Sequence, residues 1–372
     1  MTFFDIFQQH EWETTQASIY AKTAADVERT LAKQGKRDLE DFKALISPAA
    51  QPYLEQMAVL SRQLTQKRFG KTLQLYIPLY LSNECTNSCV YCGFRHENET
   101  TRITLNEAQT LREATVIQQM GFEHLLLVTG EHPRQNGPDY LKKMLKLLRP
   151  MFAQISLEVA PMKTEEYQSL VDEGAYAVYV YQETYNAGRY AGYHPRGKKA
   201  NMQFRLETGD RCGEAGMRKI GLGCLLGLED WRTDSFFTAL HLNYLEKRWW
   251  QSRFSVSFPR IRPFEGSFEP NSIVTDADLL QLICAYRIFN EEVEIALSTR
   301  ERPAFRDNLV QLGVTTMSAG SRTDPGGYTE NNKELEQFAI SDDRDPETFT
   351  TMVRSKGYEV VWKDWDMCLQ TR

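Results

Sequence analysis

From Leu75 onward the chain repeats one unit: a short run rich in apolar and β-branched residues, then an amphipathic helical stretch, then a turn. The runs are LYIPLYL at 75–81, HLLLVTG at 124–130, QISLEVA at 154–160, AYAVYVY at 175–181, KIGLGCLLG at 219–227, SRFSVSF at 252–258, VEIALS at 293–298 and VTTMSAG at 314–320. Strands that alternate with helices pair in parallel, because the intervening helix carries the chain back to the same end of the sheet. Eight such units in about 250 residues match a complete (β/α)8 barrel of the TIM type; an open doubly wound sheet is the alternative. The expected layout is a helical N-terminal extension over 1–74, the barrel over 75–320 and a C-terminal cap segment over 321–372.

The extension is polar, with Leu54, Met57, Leu60 and Leu64 at helical spacing. Thr104 with Glu107 reads as a capping box that opens a helix, Leu111, Ala114, Ile117 and Met120 read as its apolar stripe, and Gly121 as its stop. Thr275 with Asp278 opens another helix, whose stripe is Leu279, Ile283, Tyr286 and Phe289. Residues 139–150 form a helix that is basic on one side and read as a solvated outer helix of the barrel. Polar residues gather just after the apolar runs: Asn83 and Glu84, Thr129 and Glu131, Glu158, Gln182 and Glu183, Glu229 and Asp230, Arg260 and Arg262, Thr299 and Arg300, Ser321 and Arg322. Those are the C-terminal strand ends, where barrel enzymes build their sites.

Composition narrows the classes of partner. With 44 basic and 50 acidic side chains the net charge is −6, and no long run of one sign invites nucleic acid. No window of 18 apolar residues offers a membrane span, and the first residues, MTFFDIFQQHEWETTQ, lack the basic start and apolar run of a signal peptide. Seven cysteines, an odd and unevenly spread number, fit a reducing cytoplasm better than a disulfide framework.

Three of those cysteines, Cys85, Cys89 and Cys92, stand in the stretch NECTNSCVYCGF directly after the first apolar run. A loop lets three side chains converge, whereas a strand would send them to alternate faces. Converging thiolates suit a soft metal centre, and three arrangements compete. His96 completes a zinc site; a fourth thiol from Cys212, Cys224, Cys284 or Cys368 completes a fully ligated iron–sulfur cluster; or a cubic 4Fe-4S cluster keeps one iron open. Cys212, Cys224, Cys284 and Cys368 stand singly and are read as buried thiols. The histidines at 124, 132, 194 and 241 show no metal-ligand spacing.

The spacing C-x3-C-x2-C, with Tyr91 before the last cysteine, resembles the signature of the radical S-adenosylmethionine (radical SAM) superfamily. The resemblance implies one 4Fe-4S cluster on Cys85, Cys89 and Cys92, whose open iron holds S-adenosylmethionine and whose electron cleaves it to a 5'-deoxyadenosyl radical. Thr129-Gly130-Glu131 is similar to the Gly-Gly-Glu motif that binds the amino group of S-adenosylmethionine, with threonine in place of the first glycine. Gly223 to Asp230 is similar to the fifth-strand pattern G-x-I-x-G-x-x-E, with Leu225 against the adenine. Glu158, Gln182 and Tyr91 complete the expected cofactor-binding set, and Arg300, Ser321 and Arg322 are expected to hold a substrate carboxylate and amino group.

Beyond the signature, YIPLYLSNECTNSCVYCGFRHEN, LLLVTGEHP, VYQETY, SFPRIRP, ALSTRE and MSAGSRTDPGGY resemble the tyrosine lyases of thiamine biosynthesis along the full chain. That resemblance implies cleavage of the Cα–Cβ bond of L-tyrosine to 2-iminoacetate and 4-methylphenol. The imine is passed to thiazole synthase, and a low-potential donor such as flavodoxin or ferredoxin supplies electrons. The hydrogenase-maturation lyases carry a cysteine triad in the tail, where this chain has only Cys368. A radical lyase of tryptophan and, from a different class, a zinc-stabilised binding protein compete with the tyrosine lyase.

Overall fold

In the computed structural model, which describes residues 2–264, 268–330 and 335–363, all eight expected runs are strands. They are β1 (Thr72–Ser82), β2 (His124–Thr129), β3 (Gln154–Glu158), β4 (Ala175–Tyr179), β5 (Lys219–Gly223), β6 (Arg253–Ser257), β7 (Glu294–Leu297) and β8 (Thr316–Ser318). Each pairs in parallel with its successor, and β1 pairs with both β2 and β8. The sheet is therefore closed into a (β/α)8 barrel, as the repeat predicts. Closure leaves no exposed strand edge among these eight, and their apolar side chains pack against one another inside or against the helices outside.

Two glycines of β5 show how the interior is filled. A Cβ at Gly221 would overlap the ring of Tyr179, and one at Gly223 would overlap the Ser257 carbonyl and the ring of Tyr181. The aromatic rings therefore occupy space that only glycine leaves on the neighbouring strand.

The extension contributes helices Phe3–Phe7, Trp12–Tyr20, Ala24–Ala32, Leu39–Ile46 and Leu54–Phe69, which cover the helices after β5 and β6. Phe3 stacks on His241 at 3.7 Å between ring centroids, and Phe42 lies edge-on to Tyr286 at 4.8 Å. The Gln281 side-chain amide donates to the carbonyls of Leu45 and Ser47 at 2.9 and 2.8 Å, tying extension to barrel. Burial of large aromatic side chains such as these contributes about 1.5–3 kcal/mol each.

Three local expectations change. The first barrel helix, Glu107–Gln119, is capped by Asn106 rather than Thr104. Asn106 and Gln109 exchange side-chain to backbone bonds at 2.9 and 3.0 Å, while the Thr104 hydroxyl lies 2.7 Å from that of Ser82 and bridges to β1. The rotation that follows turns Thr110, Glu113, Ala114 and Ile117 inward and leaves Leu111 and Met120 each 36% exposed. β1 begins at Thr72, three residues before its apolar run. The tail, which showed no clear unit in sequence, holds a helix at Pro346–Ser355 and a strand β9 at Glu359–Val361. Gln74 pairs with Thr316 of β8 and with Val361 of β9, so β9 takes, at the base of β1, the edge that β2 occupies higher up.

Candidate active site

The loop that leaves β1 carries the three cysteines and is locked from several sides. Asn83 exchanges bonds with Ile103 and donates to the Thr101 carbonyl at 2.8 Å. The Arg102 guanidinium donates to four carbonyls, those of Asn83, Phe94, Arg95 and Asn98. One planar fork thus closes residues 83–98 into a ring. From β2, the Glu131 carbonyl accepts both the N–H and the hydroxyl of Thr86 at 3.0 Å. A Cβ on Gly130 would overlap the Glu84 carbonyl and press on Cys85, so Thr129-Gly130-Glu131 is where β2 packs directly on the cysteine loop.

Burial pushes the Cys85 thiol up to about 11 and raises Cys89 and Cys92 as well. Amides face two of the sulfurs: Asn87 donates to Cys85 and Gln337 to Cys92, each at 3.7 Å. The Lys199 charge bears on Cys89 and Cys92. Three thiols on one loop, with N–H donors and a cation around them, fit an anionic cluster of iron and sulfide, which takes the place of the thiol protons. A zinc site is not supported: among the described residues no three His, Cys, Asp or Glu side chains gather round a single ion, and His96 is exposed. Cys212, Cys224 and Cys284 are buried elsewhere and Cys368 lies outside the described residues.

Inside the barrel, at the C-terminal strand ends, lies a cavity of about 140 Å3. Tyr91, Cys92 and Leu225 line it, Arg300 and Ser321 reach it from beyond β7 and β8, and Glu158 from the end of β3. Burial pushes the Glu158 carboxyl up to about 7, against the pull of Arg300. Arg300 sits over the Phe338 ring at 3.4 Å, and among the described residues its side chain makes one hydrogen bond, to the Arg260 carbonyl at 3.5 Å. The Ser321 hydroxyl is buried and has no hydrogen-bond partner among the described residues. A buried cation and a hydroxyl with spare donors make a receptor for a carboxylate.

The remaining expected residues are placed differently. Gln182 turns away from the axis into a separate small cavity with Val180, Tyr185 and His241. Arg322 is exposed, and its backbone N–H donates to the Tyr328 hydroxyl at 3.1 Å. The Glu131 carboxylate accepts from Asn87 at 2.7 Å and pairs with Arg205 at 3.2 Å.

The helical insert after β4 brings groups that no sequence motif marked. Glu183, a non-glycine residue at φ 71°, pairs with Lys199 at 2.6 Å and with Arg205 at 3.6 Å. Burial and the Arg205 charge oppose the Lys199 ammonium, yet Glu183 offsets both and holds it protonated above its ordinary range. Tyr91 meets His194 at 2.6 Å, and burial keeps that imidazole neutral. From the tail, Gln337 joins Cys92 to the Tyr80 hydroxyl, which donates to it at 2.9 Å. Glu183 was marked only by its place after a strand and Tyr91 by the cysteine signature; His194, Lys199, Arg205 and Gln337 belong to no motif, and only their convergence marks them.

Comparison with known proteins agrees with this geometry. Residues 79–238 match the Radical SAM superfamily, and 257–359 match the Biotin and Thiamin Synthesis associated domain. The 2-iminoacetate synthases of Escherichia coli K12 and Salmonella typhimurium LT2 are 51% and 49% identical, each over 99% of this chain and 98% of their own. The crystal structure of HydG, a maturase of the [FeFe]-hydrogenase, covers 96% of this chain and 81% of its own at TM-score 0.91 and 28% identity. The cysteine loop lies within the matched superfamily segment, and identity of about one residue in two runs from end to end; the chain belongs to the 2-iminoacetate synthase family of the radical SAM superfamily.

Proposed function

We propose that this chain cleaves the Cα–Cβ bond of L-tyrosine to 2-iminoacetate and 4-methylphenol, consuming S-adenosylmethionine to 5'-deoxyadenosine and methionine, for the thiazole of thiamine. The observation that carries the reading is a single cavity lined both by Cys92 and Tyr91 and by the underbonded Arg300 and Ser321. A cluster site and a carboxylate receptor thus face the same enclosed space, at the barrel end where such sites lie.

Cys85, Cys89 and Cys92 would hold one 4Fe-4S cluster, which when bound would supply the electron that cleaves S-adenosylmethionine to the adenosyl radical. Tyr91 and Leu225 border the nucleoside, and the Thr129-Gly130-Glu131 backbone and Glu158 lie toward the methionine part. Gln182 has no part in this scheme, because it faces the outer cavity. Arg300 and Ser321 hold the tyrosine carboxylate and amino group, while Arg322, on the surface, does not. Forming an imine from an ammonium group requires loss of a proton as well as a hydrogen atom, and Glu158, whose carboxyl burial pushes up to about 7, takes the proton; the 4-hydroxybenzyl fragment left by the homolysis becomes 4-methylphenol by gaining a second electron from the carrier and a proton. The surrounding tyrosines exclude water and hold the reacting atoms near contact distance.

The product imine goes to thiazole synthase, the electron comes from a flavodoxin or ferredoxin, and the setting is the cytoplasm. No helix among the described residues is long and apolar enough to cross a membrane. The test is anaerobic incubation of the iron-loaded protein with dithionite, S-adenosylmethionine and either tyrosine or tryptophan. Tyrosine should release 4-methylphenol; consumption of tryptophan alone contradicts the reading.

A further inference from the structure

The cysteine loop is crossed on its outer side by a strap, residues 193–199, that belongs to the insert after β4. Ser88 and Val90 donate their N–H groups to the carbonyls of Arg196 and Tyr193, each at 3.2 Å, and Lys199 donates its N–H to the Asn87 side chain at 3.0 Å. Gly197 has φ +94°, and a Cβ there would overlap Asn87, so the strap lies in direct contact with the loop. From Thr184 to Leu206 the insert holds Arg189, Arg196, Lys198, Lys199 and Arg205 and not one acidic residue, in a chain whose net charge is −6.

These cations divide into two sets. Lys199 and Arg205 are buried and paired with Glu183 and Glu131, and Arg189 is paired with Glu229. Arg196 and Lys198 are exposed, and no acidic side chain among the described residues pairs with them. Glu97, on the far side of the cysteine loop in sequence, is engaged by Arg95 and the Ser88 hydroxyl. Two free positive charges therefore stand on a rigid strap one hydrogen bond away from the backbone between Cys85 and Cys89. Positive surface in a negative protein steers an acidic partner and sets its orientation more than it adds affinity.

We propose that the strap around Arg196 and Lys198 is the docking surface for an acidic one-electron carrier protein, and that electrons enter across the Asn87–Val90 backbone. The inference rests on the reading that Cys85, Cys89 and Cys92 hold an iron–sulfur cluster. In the step itself the carrier loses one electron and the cluster gains it, with no bond made or broken. Arg196 and Lys198 are not among the residues that line the cavity for the cosubstrate and tyrosine, although Lys199 beside them is.

The experiment compares the iron-loaded wild type with a double variant, Arg196→Glu with Lys198→Glu, and with the milder Arg196→Gln with Lys198→Gln. Electron transfer from hydroquinone flavodoxin, an acidic carrier, is followed by flavin absorbance in stopped flow, without substrate. At low salt the charge-reversed protein should take electrons about tenfold more slowly and the glutamine pair should fall between; at high salt the three should converge. Release of 4-methylphenol driven by dithionite, which needs no docking, should be the same in all three. An unchanged flavodoxin rate overturns the proposal. So does an equal fall of the flavodoxin- and dithionite-driven reactions, which marks the strap as merely structural. Absence of 4-methylphenol from the dithionite-driven wild type is a failure of the proposed function instead, and leaves the flavin measurement intact.

Discussion

Replacing Arg300 by glutamine removes one charge from the cavity while keeping a planar donor of similar reach. The guanidinium is held over Phe338 at 3.4 Å and by the Arg260 carbonyl, and Arg260 is itself fixed by Glu301 and by Asp276 at 2.8 Å. Its orientation is thus set before substrate arrives. Loss of one partner from a buried, hydrogen-bonded charge pair costs about 2–5 kcal/mol, and a loss of about 3 kcal/mol corresponds to about 150-fold in affinity. Equilibrium dialysis of labelled tyrosine against the iron-loaded protein with S-adenosylmethionine should show that weakening in Arg300→Gln. Tyramine, which lacks the carboxylate, supplies the decisive comparison. The wild type should prefer tyrosine strongly, whereas the variant should bind both amines alike. If tyrosine and tyramine weaken by the same factor, or tyrosine binding is unchanged, the carboxylate assignment is wrong.

Other consequences are more direct. Cys85→Ala, Cys89→Ala and Cys92→Ala should each lose bound iron and sulfide on anaerobic reconstitution, whereas Cys212→Ala and Cys284→Ala should keep both; iron analysis and visible absorption decide. Asp342, whose side chain is fully buried, neutralises the equally buried Arg306 and also holds Arg344 at 2.6 Å. Asp342→Ala leaves Arg306 unpaired and should cost about 3–5 kcal/mol in urea unfolding, against less than about 1 kcal/mol for Asp307→Ala, which loses only a partly exposed contact. Glu158 titrates near 7 in the folded chain against an ordinary 4.5, so the folded state binds its proton more tightly. That contribution is complete below about 4.5 and is lost as pH rises to about 7, up to about 3 kcal/mol. Relative to Glu158→Gln, the metal-free wild type should therefore lose stability between pH 4.5 and 7; parallel urea midpoints for the two proteins contradict this.

The barrel was legible because each of its strands is a compact apolar run and each connection returns the chain by a helix, so the repeat survives errors at single boundaries. The cysteine loop was legible because its three cysteines lie within eight positions. Residues at strand ends were less so, since successive side chains point to opposite faces. Ser321 enters the cavity and Arg322, one position on, does not; Gln182 turns outward for the same reason. Thr104 failed as a cap because its hydroxyl had a tertiary partner in Ser82, a competition no local pattern records. Lys199, Arg205 and Gln337 reach the site from an insert and from the tail, and Gln337 lies more than 240 residues beyond the cysteine it faces. Such convergence is a property of the closed barrel, and sequence spacing does not express it.

The central claim is scission of tyrosine between Cα and Cβ. Tyrosine labelled with carbon-13 at Cα and with deuterium on the ring separates the two fragments in one anaerobic turnover with dithionite and S-adenosylmethionine. The account predicts carbon-13 in glyoxylate, the hydrolysis product of 2-iminoacetate, and deuterium in 4-methylphenol, in equal amounts and matched by 5'-deoxyadenosine. Both labels in one product, or 5'-deoxyadenosine with no 4-methylphenol, would contradict it.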